Sequence, residues 1–196
     1  MIRLAALGSV AALSLAACGA PPSEPADAPA DPAGRGASGP AVDQLTALGF
    51  GPLRIGMTRA EVEAALGPDA DPEAVGGPDP AACDMFRPER APRGLLVMVE
   101  DGVLTSIWIG RNTEIATDRG LNIGDTAAEV KSAYGAAAEA MPHAYVEAPA
   151  EYITVWSTAD HQSPAARGVK YEIGTDGRVQ SIAGGGPSIQ YVEGCA

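Results

Sequence analysis

The chain has 196 residues, 25 acidic against 13 basic, and a formal net charge of −12 at pH 7. Lys131 and Lys170 are its only lysines, so no basic cluster offsets the acids, and composition argues against a nucleic-acid partner or a polybasic membrane contact. With two histidines and three cysteines, it also offers little material for a metal site or histidine-dependent catalysis.

At the start, Arg3 precedes an apolar run from Leu4 to Leu15, and Leu15-Ala16-Ala17-Cys18 closes it. A charged start, a short apolar stretch and small residues before a cysteine form a bacterial lipobox, so residues 1–17 read as a signal peptide and Cys18 as the lipidated mature N-terminus. The apolar run is roughly 12 residues, short of the ~20 that a spanning helix needs. Gly19 stands where inner-membrane retention uses Asp. The expected address is therefore the bacterial envelope, lipid-anchored in the outer membrane and facing the periplasm. The lipid on Cys18 is the one covalent group expected, with no cofactor and no metal.

Residues 18–40 then form a tether. Gly19 to Pro40 holds no aromatic and no large aliphatic side chain, so it cannot bury enough surface to offset its ordering entropy. Rich in proline, it is semi-extended and at ~3.1 Å per residue reaches up to roughly 70 Å. The folded part begins at Ala41 and keeps a charge of roughly −11.

A short helix is predicted over Val42–Leu48. Beyond it the chain repeats itself at an offset of 68: Leu53-Arg-Ile-Gly-Met-Thr-Arg-Ala-Glu-Val-Glu-Ala-Ala-Leu-Gly67 aligns with Leu121-Asn-Ile-Gly-Asp-Thr-Ala-Ala-Glu-Val-Lys-Ser-Ala-Tyr-Gly135, with nine of fifteen positions identical. Each copy reads as a strand-like Leu-x-Ile, then a helix. Thr58 and Thr126 stand as N-caps, Glu61 and Glu129 complete capping boxes, and Gly67 and Gly135 stop the helices. Val62 with Leu66, and Val130 with Tyr134, are four apart and share a buried face. These six capping residues are structural.

Each helix is followed by strands. Ala82–Arg87 and Tyr152–Ser157 are predicted strands, and Asp101-Gly102 and Asp176-Gly177 mark hairpins between apolar-rich runs. Cys83 and Cys195 are the two cysteines left once Cys18 is lipidated, and in an exported protein they are expected to form a disulfide. Closing a loop on the order of 100 residues is worth about 4–5 kcal/mol in the chain-entropy account, as an upper figure. The fold class that follows is α+β: two tandem units, residues 41–115 and 116–196, each with one or two short helices packed on an antiparallel meander.

The run Gly56-Met57-Thr58, Glu61-Val62, Leu66-Gly67 and its second copy resembles the small lipoprotein of the outer-membrane β-barrel assembly machinery, of the SmpA/OmlA type. The doubled arrangement resembles the β-lactamase inhibitory protein family. The likeness spans most of residues 50–186 and implies the fold; the chain departs from the inhibitors in lacking a disulfide within each repeat, and from the assembly lipoprotein in being doubled. The inhibitor resemblance implies a concave sheet surface that meets a partner.

Strand alternation from the second hairpin puts Val169, Tyr171, Ile173, Val179, Ser181 and Ala183 on the helix face. Mapped onto the first copy, it puts Leu95, Val97, Val99, Leu104 and Trp108 in the core and leaves Leu96, Met98, Ile107 and Ile109 on the other face. That face is unusually apolar. Either the other repeat, the segment Ile189–Cys195 or the N-terminal helix covers it, or it is a partner surface. Leu96, Met98, Ile107 and Ile109 are thus candidate binding residues, as are Tyr152 and Trp156, with Tyr145 beside them; core packing is the rival role for these aromatics.

Catalytic patterns are missing. His143 and His161 match no ligand spacing and read as surface residues, and Asp160 next to His161 points to the opposite face of a strand. No GxSxG, phosphate loop or dinucleotide fingerprint occurs, and Gly184-Gly185-Gly186 reads as a turn. The expected role is non-enzymatic: a lipid-anchored module that binds another envelope protein in outer-membrane assembly or maintenance. The alternatives are a protein inhibitor of a periplasmic or secreted hydrolase such as a β-lactamase, and a glycan- or peptidoglycan-binding module.

Overall fold

A computed structural model describes residues 43–73 and 77–195; Cys18, the lipobox and the tether lie outside the described residues. Two short strands, β1 (Gly49–Phe50) and β2 (Leu53–Arg54), pair ahead of helix α1 (Arg59–Leu66). A meander follows: β3 (Cys83–Phe86), β4 (Leu95–Glu100) and β5 (Val103–Ile109). Helix α2 (Ala127–Tyr134) precedes β6 (Glu139–Pro142), β7 (Glu151–Trp156), β8 (Gly168–Ile173) and β9 (Val179–Gly185). Strands β3 to β9 form one antiparallel sheet in the order β3-β4-β5-β9-β8-β7-β6. The fold is α+β, a large antiparallel sheet with few short helices.

Both helices start as their sequences dictate. The Thr58 amide donates to Glu61 Oε2 at 2.8 Å while the Glu61 amide donates to Thr58 Oγ1. Thr126 and Glu129 repeat the exchange, at 2.7 Å for the first bond. Gly67 and Gly135 end the helices at φ of 90° and 57°, which a side chain would resist. Val62 and Val130 are fully buried in the core against one face of the sheet, worth about 1.5–3 kcal/mol each. Arg59 of α1 ties that helix to β3 by an ion pair with the buried Asp84 and by lying 4.3 Å over the Phe86 ring. The predicted disulfide is present: Cys83 on edge strand β3 is bonded to Cys195.

The alternation read from sequence slips in both hairpins. Val99 pairs with Leu104 but Met98 pairs with Ser106, so Thr105 is a bulge. Likewise Ile173 pairs with Val179 and Glu172 with Ser181, so Gln180 is a bulge at the matching place. An extra residue inverts the facing of everything beyond it. Ile107 and Ile109 therefore face the helices and are core, fully buried with Leu95, Val97 and Leu104. Trp108, expected in the core, faces the other way, and so do Ser181 and Ala183, while Ile182 replaces them.

Three local expectations are also corrected. Residues 43–48 form no helix: Leu45 bridges Thr117, and Thr46 Oγ1 accepts the amides of Leu48 and Gly49 at 3.1 Å, a turn that competes with helix. The second Leu-x-Ile, at Leu121, is not a strand. Gly184 and Gly185 are not a turn but lie in β9, at the centre of the sheet. A Cβ at Gly184 would sit 2.4 Å from the Thr46 carbonyl oxygen, so glycine here permits the N-terminal segment to close over the sheet. Strand β6, fully exposed and ending in Pro142, was not foreseen.

Candidate functional site

The sheet face opposite the helices is where the unusual side chains gather. Register places Glu139, Thr154, Lys170, Ala183, Trp108 and Leu96 in one row across β6, β7, β8, β9, β5 and β4. Successive strands lie about 4.8 Å apart, so Lys170 stands near the middle of the row. It is 5% exposed. Its Nζ donates to the Tyr191 carbonyl at 2.7 Å and lies 4.7 Å from the Trp108 ring centroid and 5.3 Å from that of Tyr152. Burial pulls this ammonium down to about 8, against a smaller opposing pull from Glu172.

The C-terminal segment crosses this face. After β9 it makes a 3-10 turn over Pro187–Gln190 whose Ile189 is fully buried, close over Gly168. It continues past Tyr191, lays Gly194 against Met85 and ends in the disulfide to β3. Met98, on the same row as Met85 and Ser106, is fully buried.

Between this segment and β6 a cleft of about 200 Å³ remains, lined among others by Met141, Tyr152, Thr154, Trp156, His161 and Lys170. Trp156 and His161 stack at 4.9 Å, with His161 Nε2 3.5 Å from Glu139 at the mouth. Tyr152 and His143 stack at 4.6 Å. His143 Nδ1 accepts the Tyr145 amide at 3.1 Å, which leaves the proton on Nε2, 3.3 Å from both Glu172 and the Tyr152 hydroxyl. Both histidines, expected at the surface, are part-buried, with side-chain exposures of 10% for His143 and 26% for His161, and each is held against an aromatic ring. Burial raises the Tyr152 phenol.

Ser181, Glu172 and His143 make a serine, an acid and a histidine in one chain of hydrogen bonds. The order does not suit nucleophile activation, because Ser181 donates to Glu172 at 2.7 Å and the imidazole lies beyond the carboxylate. Among the described residues no group of three metal-ligating side chains forms. A broader depression of about 570 Å³ at Phe50, Arg93 and Ile115 holds no buried ionisable group.

Met141 and Val192 line the cleft, and other exposed apolar side chains lie on the same or adjoining segments. Met141 (61% exposed), Tyr145 (66%), Val146, Tyr191 and Val192 lie on β6, the following loop and the C-terminal segment. The Tyr145 hydroxyl donates to Glu193 at 2.5 Å, which links loop to segment, and this bond raises the phenol.

The structure thus separates the six residues proposed for a binding surface. Tyr152 and Trp156 meet in the cleft, and Leu96 is half-buried on the same face. Met98, Ile107 and Ile109 are wholly buried, the first on the face that the C-terminal segment crosses and the other two against the helices. The sequence reading gives Lys170 and Met141 no role in a site, and it weighs His143 and His161 only as surface residues. The available signal for Lys170 was its place between Val169 and Tyr171, which sets it off the core face in a strand otherwise buried.

No protein-family model matches the sequence, and no curated protein matches it either. The fold is similar to a 1.5 Å crystal structure of an extracellular protein containing a SCP domain from Bacillus anthracis, at 7% identity and a TM-score of 0.46. The alignment covers 78% of this chain and 48% of that one, so the chain spans about half the length of that protein. A likeness at that level says nothing of function.

Proposed function

We propose that this is a non-enzymatic, lipid-anchored envelope protein, built of two α/β units in tandem, that binds another envelope protein through the sheet face opposite its helices. The tandem reading is supported by the paired capping boxes, by the bulges at matching positions Thr105 and Gln180, and by a strand order in which the two meanders meet at β5 and β9. It is the arrangement that the resemblance to the β-lactamase inhibitory protein and SmpA/OmlA-type families implies. Anchoring rests on the lipobox at Cys18.

The observation that carries the binding reading is the exposure of Met141 and Val192 in an aromatic cleft, with Tyr145, Val146 and Tyr191 exposed on the adjoining loop and C-terminal segment. Apolar groups clustered at the surface mark interaction sites more often than scattered ones do. The test is affinity capture from envelope extract with the full chain and with a Met141→Asp, Tyr145→Ala variant. Both positions are exposed, so the variant is expected to fold, and the binding reading predicts that it loses a protein the native chain enriches. Equal capture by both overturns it. A membrane protein among the captured points to assembly or maintenance, and a soluble hydrolase points to inhibition. Peptidoglycan fragments bound in place of protein favour the glycan role.

A further inference from the structure

Among the described residues, Lys170 is a buried cation with no carboxylate in ion-pair contact. Its one hydrogen-bond acceptor among them is a neutral carbonyl, that of Tyr191. Two ammonium protons are left to the faces of Trp108 and Tyr152. Rings soften the loss of water but do not neutralise a charge, and buried charges are ordinarily paired. A central, 5%-exposed lysine in a chain of net charge −12, lining an otherwise mostly apolar cleft, is the arrangement of a site that lacks its anion.

We infer that the cleft receives a carboxylate carried on an apolar body, with the carboxylate completing the ammonium of Lys170 and the hydrocarbon lying against Trp156 and Met141. The inference rests on the same face as the binding reading and names what the bound group presents there. One positive charge, with Glu139 at the mouth and Glu172 beside it, favours a monoanion over a phosphate dianion. The volume of about 200 Å³ holds roughly seven water volumes of ~30 Å³, the size of a short aliphatic or aromatic acid. The same chemistry is presented by a free acid and by the C-terminal residue of a polypeptide.

Binding also moves a proton. The groups around the ammonium are Tyr152 and Thr154 of β7, Glu172 of β8, Glu139 of β6, His161, and the Tyr191 carbonyl of the C-terminal segment. A carboxylate at Lys170 favours its charged form and offsets the burial that lowers it to about 8. Near pH 8.5 the complex therefore takes up a proton on Lys170; Tyr152, raised by burial, stays protonated there.

The experiment is isothermal titration of the purified full chain with hexanoate, butyrate, hexanol, inorganic phosphate, acetyl-Gly-Leu and its C-terminal amide. Hexanoate is expected to bind about fifteenfold more tightly than butyrate, at about fourfold per methylene, and at least tenfold more tightly than hexanol or phosphate. Its affinity falls above pH 8, and heats in buffers of different ionisation enthalpy show proton uptake at pH 8.5. Acetyl-Gly-Leu binding while its amide does not would identify a polypeptide C-terminus as the source; hexanoate alone binding would identify a free acid. The inference is overturned if hexanol matches hexanoate, if phosphate matches hexanoate, or if Lys170→Met binds hexanoate as the native chain does. Should that variant fail to fold, the first two comparisons decide on the native protein. Failure of every acid, with capture of a protein still lost in the Met141→Asp, Tyr145→Ala variant, removes this inference and leaves the binding reading standing. Acids that bind while capture is unchanged leave the opposite result.

Discussion

Lys170 Nζ donates to the backbone carbonyl of Tyr191 at 2.7 Å, so the most buried cation of the sheet holds down the segment that crosses it. The bond joins β8 to a stretch already fastened at its far end by Cys195. Between these two points the segment covers a sheet face that is otherwise rich in methionine and aromatic side chains.

The lowered Lys170 makes stability depend on pH. The folded chain releases this proton near pH 8 and the unfolded chain near 10.5, so between those values the unfolded state binds more protons and stability rises with pH. Below pH 8 the full cost is present, on the order of 3 kcal/mol. Lys170→Met, of similar length and uncharged, is expected to unfold at an equal or higher urea concentration at pH 7. Subtracting its stability from that of the native chain at each pH isolates the rise between 8 and 10.5; a flat difference would refute the assignment.

Replacing Cys83 and Cys195 together by Ser is expected to cost about 2–4 kcal/mol, below the chain-entropy figure because part of the segment keeps its Ile189 and Lys170 contacts. Urea unfolding followed by tryptophan emission checks this. Emission should also shift to the red in the folded variant, since Trp108 and Trp156 lie on the face from which the segment's end is released.

Thr58→Ala and Thr126→Ala each remove one half of a capping box and are expected to cost about 1 kcal/mol. Glu61 and Glu129 are held below the usual carboxylate range by the backbone and hydroxyl bonds to those threonines. Such a carboxylate contributes stability that is present above its unfolded value and lost as pH falls through the folded one. The variants should therefore lose less stability than the native chain when acidified below pH 4.5, and acid titration followed by circular dichroism measures the difference.

Ser188 is 4% exposed and its hydroxyl has no hydrogen-bond partner among the described residues. An unsatisfied buried hydroxyl costs about 1–3 kcal/mol, so Ser188→Ala is expected to be neutral or stabilising by about 1 kcal/mol. A loss greater than about 1 kcal/mol in urea unfolding would mean that the hydroxyl is bonded in solution.

What was legible in the sequence was local chemistry. Thr58 with Glu61, Thr126 with Glu129, the two Asp-Gly turns and the helix-ending glycines each state their conformation within a few residues. The cysteine pair followed from elimination. Facing was readable only up to the bulges at Thr105 and Gln180, because alternation carries no mark of where an extra residue enters; this is why Ile107 and Ile109 were assigned to the wrong side. Strand β6 was hidden for another reason: an edge strand exposed on every residue has no hydrophobic pattern, and Pro142 argues against a strand unless it sits at an edge. The cleft depends on residues as far apart as Met141 and Val192, and no spacing rule joins those.

The position of β9 bears on the order in which the sheet can be completed. Val179–Gly185 lies between β5 and β8, so the strand that comes last in chain order among the described residues is the one that joins β3–β5 to β6–β8. Until it pairs, β5 offers a bare edge and the first meander has nothing to close against. Long-range pairing of this kind delays completion of the native state. A chain in which β9 has yet to pair leaves β5 and β8 with open strand edges prone to pair with another copy.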